Sequence, residues 1–110
     1  MGEREERIGL NEAVFREVNE RVRAVSEGFR DVLDEAEFVC ECADRDCAER
    51  LALTLADYER VRSDATLFIV KPGHEAADVE RVVERLGSCV VVKKLDEEAA
   101  RTARELDPRS

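Results

Sequence analysis

Three cysteines stand close together in a strongly charged part of the sequence. Cys40 and Cys42 flank Glu41, and Cys47 follows after residues 43–46, most of which are charged. Residues two apart in an extended segment point to the same side, so both sulfur atoms of the first pair can face one point. A turn over the intervening residues would then bring Cys47 back toward them. The charged neighbours predict that these thiols lie at the surface, where three converging thiolates are typical of a structural zinc site.

A structural zinc ion needs a fourth ligand to complete its tetrahedron. His74 is the single histidine of the chain, and it follows Pro72 and Gly73. This pair predicts a type II turn over residues 71–74 that can aim the imidazole. A strand over residues 67–70 would place the turn beside the cysteine hairpin. We therefore predict one zinc ion per chain, and its ligands are Cys40, Cys42, Cys47 and His74.

Other ligands and other roles for the thiols stay open at the level of sequence. Cys89, a carboxylate of Asp44 or Asp46, or a water molecule could replace His74 as the fourth ligand. Cys89 begins an apolar run that continues with three valines, a setting typical of a buried core thiol. Ferrous iron or an iron–sulfur cluster could use a similar ligand set. Reactive thiols need an electropositive setting, whereas Glu41 and the two aspartates favour a bound cation.

Apolar side chains recur at the two core positions of a heptad repeat over residues 8–33, which predicts a long amphipathic helix. The residues of this heptad stripe are Ile8, Phe15, Val18, Val22, Val25, Phe29 and Val32. A helix of about 25 residues is about 37 Å long, which exceeds what so small a domain can cover. Either the helix breaks near residues 26–28, or part of the stripe packs on a second copy of the chain or on another protein. The alternative is that the stripe packs on the sheet of its own domain.

The middle of the chain predicts short elements around the cysteines. Residues 38–42 and 50–53 fit the two strands of a hairpin. Thr54 fits the N-cap of a helix that runs to about Arg62. A continuous helix over residues 47–62 is an alternative.

Three further elements complete the predicted fold. The apolar runs at residues 67–70 and 89–92 predict strands, the first of them buried on both faces. Residues 75–86 show helical spacing of apolar side chains, with Gly87 as the stop signal. The inward side chains of that helix would be Ala76, Val79, Val82, Val83 and Leu86. Residues 96–110 predict a C-terminal helix that frays toward its end.

Together these elements predict a single α+β domain over residues 1–110. Residues 1–36 would form the long N-terminal helix, 37–95 the zinc-binding core, and 96–110 the C-terminal helix and tail. The core would hold a small mixed sheet with the cysteine hairpin, or zinc knuckle, and two to three short helices would accompany it.

Charge and composition narrow the classes of function. The chain carries a net charge of −9, spread along its length, and an acidic surface repels phosphate backbones, which argues against nucleic-acid binding. No apolar stretch is long enough for a membrane span, and the N-terminus lacks a signal-peptide core, so we expect a cytoplasmic protein. We expect no enzyme, because one histidine cannot serve a nucleophile set as well as the metal. A zinc hydrolase with Glu41 or Glu75 as its base would require His74 to leave the metal.

Several segments of the chain together resemble a group of small uncharacterised actinobacterial proteins. The resemblance extends from about Ile8 to Val92. The segments that carry it are Cys40-Glu41-Cys42, Cys47, residues 53–62 and residues 71–74. The resemblance supports the interpretation of the three cysteines and His74 as one set, and it implies no catalytic role, partner or pathway.

The residues therefore predict a non-catalytic zinc-binding module for protein interaction, with regulation as one of its roles. Its partner would be a second copy of the chain or another protein, bound through the heptad stripe. The alternative is a thiol or zinc redox sensor, in which oxidation or metal loss unfolds the cysteine hairpin and releases a partner.

Overall fold

The computed structural model describes residues 3–29, 34–44, 46–95 and 97–109. Within them lie three helices and five strands, which confirms the predicted α+β class. In chain order the elements are α1 (Glu3–Glu27), β1 (Glu35–Val39), β2 (Arg50–Thr54), α2 (Leu55–Arg62), β3 (Leu67–Val70), β4 (Glu80–Leu86), β5 (Cys89–Lys94) and α3 (Glu97–Glu105). Val32, the last residue of the heptad stripe, lies outside the described residues.

The strands form two antiparallel sheets rather than the one small mixed sheet that the sequence predicts. β1 pairs with β2, while β5 lies between β3 and β4 in the second sheet. The two sheets meet at Glu41, whose backbone N–H donates to the carbonyl of Ile69 at 2.8 Å. One carboxylate oxygen of Glu41 accepts from the N–H of Ile69 at 3.1 Å. A single residue therefore joins the end of the first hairpin to the middle of β3.

The predicted cysteine hairpin and the short helix after it are both present. Phe38 of β1 lies opposite Leu51 of β2, and the ring of Phe38 stacks on Tyr58 of α2 with 4.2 Å between ring centroids. Thr54 caps α2, because its hydroxyl oxygen accepts from the N–H of Asp57 at 3.0 Å. The alternative of one helix over residues 47–62 is wrong, since β2 occupies the first half of that segment.

The prediction of a helix over residues 75–86 is wrong. Residues 80–86 form β4, an edge strand in which Val82 and Val83 are 43% and 44% exposed. The spacing of the apolar side chains fits a helix, but Gly87 adopts a φ of +60° between the paired residues Leu86 and Cys89. A two-residue loop of this kind closes a β-hairpin, so Gly87 turns the chain instead of ending a helix.

α1 uses only part of the heptad stripe against its own domain, so the alternative in which the whole stripe packs on the domain's sheet is wrong. Ile8 is buried, Phe15 and Val22 are half-buried, and Phe29 is 61% exposed. A straight helix rotates heptad positions by about 20° per repeat, which moves this series progressively out of the domain contact. The second series of the stripe faces outward, with Val18 and Val25 exposed. The predicted break near residues 26–28 is confirmed, because α1 ends at Glu27.

The buried face of α1 holds Ile8 together with three polar residues, Glu12, Arg16 and Asn19, each of which is no more than 1% exposed. Arg16 donates to the carbonyl of Ala65 at 2.9 Å and to that of Leu67. Its guanidinium group lies 3.7 Å from the ring centroid of Phe68, a cation–π contact. The helix is therefore held by directional polar contacts, and little of its apolar surface is used against the domain.

A buried group of three charged residues lies between α1 and the second sheet. The Lys94 ammonium donates to Glu12 and, at 2.9 Å, to Glu80, and these three side chains are no more than 4% exposed. Burial raises the pKa of Glu12 to about 8, although the nearby Lys94 opposes this shift. A protonated Glu12 leaves one ammonium paired with one carboxylate, so the buried group is neutral overall.

This arrangement predicts a stability that falls as the pH rises. The pKa of Glu12 in the folded chain lies above its ordinary value of 4.5, so the folded state holds the extra proton between about pH 4.5 and 8. The free energy of unfolding should decrease across that window by on the order of a few kcal/mol, at about 1.4 kcal/mol per pKa unit. Glu12→Gln imitates the protonated group and should remove most of this decrease, as measured by urea unfolding at pH 6 and pH 9.

Glu80→Gln is the matched control. It removes the carboxylate that neutralises Lys94, so it should lower stability at pH 6. Equal pH dependence in the wild type and in Glu12→Gln would show that Glu12 does not carry the buried proton.

Candidate metal centre

The structure brings Cys40, Cys42, Cys47 and His74 together, and their ligand atoms all lie within 4.8 Å of one another. His74 Nδ1 lies 3.5 Å from the sulfur of Cys47 and 3.8 Å from that of Cys40. Around a tetrahedral zinc ion, metal–ligand bonds of about 2.3 Å to sulfur and 2.0 Å to nitrogen place sulfur and nitrogen about 3.5 Å apart. The two sulfur–nitrogen distances therefore suit a tetrahedral metal ion, and the four residues could hold one.

An extended segment after β1 directs the first two sulfurs to one side. The N–H of Cys40 donates to the carbonyl of Glu49 at 3.0 Å, which continues the pairing of the first hairpin. Because side chains alternate along an extended chain, Cys40 and Cys42 face the centre while Glu41 faces the opposite way. The prediction that the polar neighbours keep the thiols at the surface is wrong for this pair, since Cys40, Glu41 and Cys42 are all no more than 2% exposed.

Asp44 shapes the loop that returns Cys47 to the centre. Its carboxylate accepts from the N–H of Asp46 at 2.9 Å, and its carbonyl accepts from the N–H of Cys47 at 3.0 Å. Such a side-chain turn is a common use of aspartate. Asp44 is thus engaged with the backbone of the loop, and neither aspartate belongs to the four-residue group.

The predicted turn after β3 aims His74. The N–H of His74 donates to the carbonyl of Lys71 at 2.9 Å, and Gly73 has a φ of +91°, as a type II turn requires at its third residue. The carboxylate of Glu75 accepts from the N–H of Gly73 at 3.0 Å, which further fixes the turn. The centre therefore connects a loop of the first sheet to the end of a strand in the second.

The thiols of the centre favour a bound cation over free thiolates. Burial raises the pKa of Cys40 and of Cys42, and the thiol of Cys47 adds to both shifts. The N–H of Lys71 donates to the sulfur of Cys40 at 3.2 Å, which partly opposes this shift. Burial disfavours the ionised thiolates, and a bound metal ion would stabilise them with its positive charge. This setting differs from the electropositive one that activates a reactive thiol.

Cys89 lies in the apolar core, outside the four-residue group, as its valine-rich neighbourhood predicts. It is fully buried in β5, and burial raises the pKa of its thiol to about 11. The two glutamates considered as bases point away from the four-residue group or bind elsewhere. The Glu41 carboxylate accepts hydrogen bonds from Ile69 and Asn19, and the Glu75 carboxylate accepts from the N–H of Gly73.

Two asparagines of α1 bind the segment that carries the three cysteines, residues 40–47, here called the metal loop, and the residue before it. The sequence analysis did not identify them. Asn11 donates to the carbonyl of Ala43 at 2.9 Å. Asn19 donates to Val39 at 2.9 Å and to the Glu41 carboxylate at 2.8 Å, and it accepts from the N–H of Val39 at 2.7 Å. The sequence does contain one indication of this contact: the two asparagines are eight residues apart, which places both side chains near one face of a helix.

Comparison with protein-family models, with the curated proteins and with the solved structures finds no match for this chain. Among the described residues, no helix combines the length and the apolar character that a membrane span requires.

The contacts of Asn19 predict a large cost for its removal. Asn19→Ala leaves the N–H and carbonyl of Val39, which is half-buried, and a buried oxygen of Glu41 without this partner, and each such group costs about 1–3 kcal/mol when it is shielded from water. We expect the free energy of unfolding to fall by about 3–5 kcal/mol in urea. Asn11→Ala, which breaks one bond at a half-buried position, is the control and should cost about 1 kcal/mol. Similar losses in both variants would contradict this account of the helix contact.

Proposed function

We propose that this chain is a non-catalytic module for protein interaction that zinc stabilises, and that it acts in the cytoplasm. The observation that supports it best is the four-residue set of three thiols and one imidazole, with spacings that suit a closed tetrahedral site. A closed set of four protein ligands serves structure, whereas a catalytic zinc ion keeps one position open. Three thiolates also donate charge to the metal, which makes it a poor Lewis acid.

The position of the centre supports a structural role. Its ligands come from the segment after β1, from the loop that follows, and from the turn after β3. The turn that carries His74 is 27 residues after Cys47, so one ion would close a long loop of the unfolded chain. Zinc binding to small domains contributes about 10–16 kcal/mol of apparent free energy, which is comparable to the whole stability of a typical domain.

The outer face of α1 supports the interaction part of the proposal. Its exposed apolar side chains are Leu10, Val14, Val18, Val25 and, just after the helix, Phe29. Several large apolar side chains exposed on one side of a helix are characteristic of a contact site. The polar face of the same helix is tied to the metal loop by Asn11 and Asn19. The metal would therefore hold the interaction helix in position.

Elemental analysis of the purified protein tests the metal. We expect one zinc ion per chain in the wild type. His74→Ala should weaken zinc binding by more than the roughly 10–100-fold that is lost when a residue hydrogen-bonded to a metal ligand is replaced, because a direct ligand is lost. Competition with a chromophoric chelator measures the change.

Cys89→Ala is the matched control for this experiment, since it removes a thiol outside the centre and should retain one zinc ion with unchanged affinity. A wild-type protein that binds no zinc under metal-replete conditions would overturn the proposal. Equal zinc affinity in the wild type and in His74→Ala would show that His74 is not a ligand.

A redox sensor is the second candidate, and the exposure of Cys47 favours it. This thiol is half-buried, while Cys40 and Cys42 are no more than 2% exposed. An oxidant would therefore reach Cys47 first, and oxidation of a thiolate ligand releases zinc. If the protein is a sensor, mild peroxide should release zinc in step with the loss of one free thiol, and a reductant should restore binding. Retention of zinc with unmodified thiols would exclude the switch and leave the structural role.

A further inference from the structure

Residues 107–109, here called the strap, follow α3 and contact both α1 and α2. The Asp107 carboxylate accepts a hydrogen bond from Arg62 of α2, whose side chain is fully buried. The N–H of Arg109 donates to the same Asp107 carboxylate at 3.0 Å, which fixes the course of the backbone between them. One end of the strap is therefore anchored on a buried guanidinium group.

Arg109 joins α1 to α2 through a single guanidinium group. Its nitrogens donate to both oxygens of Glu20 in α1, one of them at 3.1 Å. They also donate to both oxygens of Glu59 in α2, at 2.8 and 3.1 Å. Paired contacts of this kind, with two parallel hydrogen bonds to one carboxylate, are the stronger form of an arginine–carboxylate interaction. Arg109 is therefore a cross-link between the two helices.

Glu20 is held in its ionised form at this contact. Burial would raise the pKa of Glu20, but hydrogen bonds from Arg109 and Tyr58 bring it below its ordinary value. The hydroxyl of Tyr58 donates to Glu20 at 3.0 Å. The carboxylate of α1 thus meets the strap as a full negative charge.

The contacts of the strap complete a continuous network of charges that alternate in sign. Besides the bonds of the strap, the network includes an ion pair of 3.3 Å between Arg23 and Glu59 and one of 3.7 Å between Arg62 and Glu20. In spatial order its members are Arg23, Glu59, Arg109, Glu20, Arg62 and Asp107. Arg109 lies in the middle of this series, so its removal divides the network into two parts. Ion pairs that form a network contribute more than isolated surface pairs.

The last part of α1 has little else to hold it. Of the described residues of α1 after Asn19, none is buried, and Val22 is half-buried. Residues 20–27 amount to about two turns of helix. The earlier part of α1 has the buried contacts of Arg16 and Asn19. The two parts of the helix are therefore held by different sets of contacts.

We infer that the strap clamps the end of α1 against α2, so that α1 has two anchors that open separately. Buried polar side chains hold the helix as far as Asn19, and Arg109 of the strap holds it from Glu20 onward. Release of Arg109 frees residues 20–27 while the rest of α1 stays docked. This inference does not rest on the proposed function, since none of the groups involved belongs to the metal centre.

Amide hydrogen exchange of the full chain tests the clamp, because it reports local opening segment by segment. Arg109→Ala should speed exchange in residues 20–27 by roughly threefold to tenfold, as the loss of two partly exposed ion pairs implies. Exchange in residues 8–19 should not change. Arg101→Ala is the matched control, since it removes an exposed arginine of α3 outside the network, and it should leave both segments as in the wild type. Unchanged exchange in residues 20–27 of Arg109→Ala, or an equal increase along the whole of α1, overturns the inference.

A double-mutant cycle tests whether Arg109 acts through Glu20. In a chain that carries Glu20→Gln, the further change Arg109→Ala should speed exchange in residues 20–27 by a smaller factor than it does in the wild type, because the charge that it binds on α1 is already absent. An equal factor in both backgrounds would show that Arg109 does not hold α1 through this contact, and it would overturn the inference.

Discussion

The buried carboxyl group of Glu41 is the contact on which the arrangement of the molecule depends. Glu41 is fully buried, its two oxygens accept hydrogen bonds from Ile69 and Asn19, and its backbone N–H binds Ile69 again. One residue thus connects both sheets and α1. Burial raises the pKa of Glu41, and the positive charge of Arg16 opposes that shift. A buried carboxyl group is costly unless it is paired and hydrogen-bonded, so the surrounding segments must hold their positions together.

The same residue relates the interior of the protein to the metal centre. Glu41 stands between Cys40 and Cys42, and alternation along this extended segment turns its side chain toward Asn19 and Ile69 and the two sulfurs toward the metal centre, with all three residues buried. The register that places the carboxyl group at the junction of the sheets is therefore the register that aims the thiols. A shift by one residue would turn the sulfurs toward that polar junction and the carboxylate toward the metal centre. The contacts of Glu41 and the contacts of the two cysteines therefore require the same conformation of this segment. Together they specify it more strongly than either set would alone.

The parts of the fold that the sequence predicts correctly are those with local signals. The hairpin around the cysteines, the Thr54 cap and the Pro-Gly turn before His74 each depend on residues a few positions apart. The β4 strand was missed because its apolar spacing fits a helix, and the hairpin turn at Gly87 outweighs that spacing. The burial of Glu41 has no local signal, since its partners come from α1 and β3. The metal site was predictable because three of its ligands lie within one short segment, whereas the helix contact depends on distant polar pairs.

A metal ion at this centre and the orientation of α1 must influence each other. Asn11 binds the carbonyl of Ala43 inside the metal loop, and Asn19 binds Val39 directly before it. Each bond requires the loop to hold its conformation. An ion bound by Cys40, Cys42, Cys47 and His74 would stabilise that conformation. Anything that stabilises the loop therefore favours the docked helix, and by linkage the docked helix favours the metal-binding loop. The loop supplies only part of the docking, since Arg16 and Glu12 bind the second sheet and its flank, so loosening the loop should weaken the position of α1 without releasing the helix.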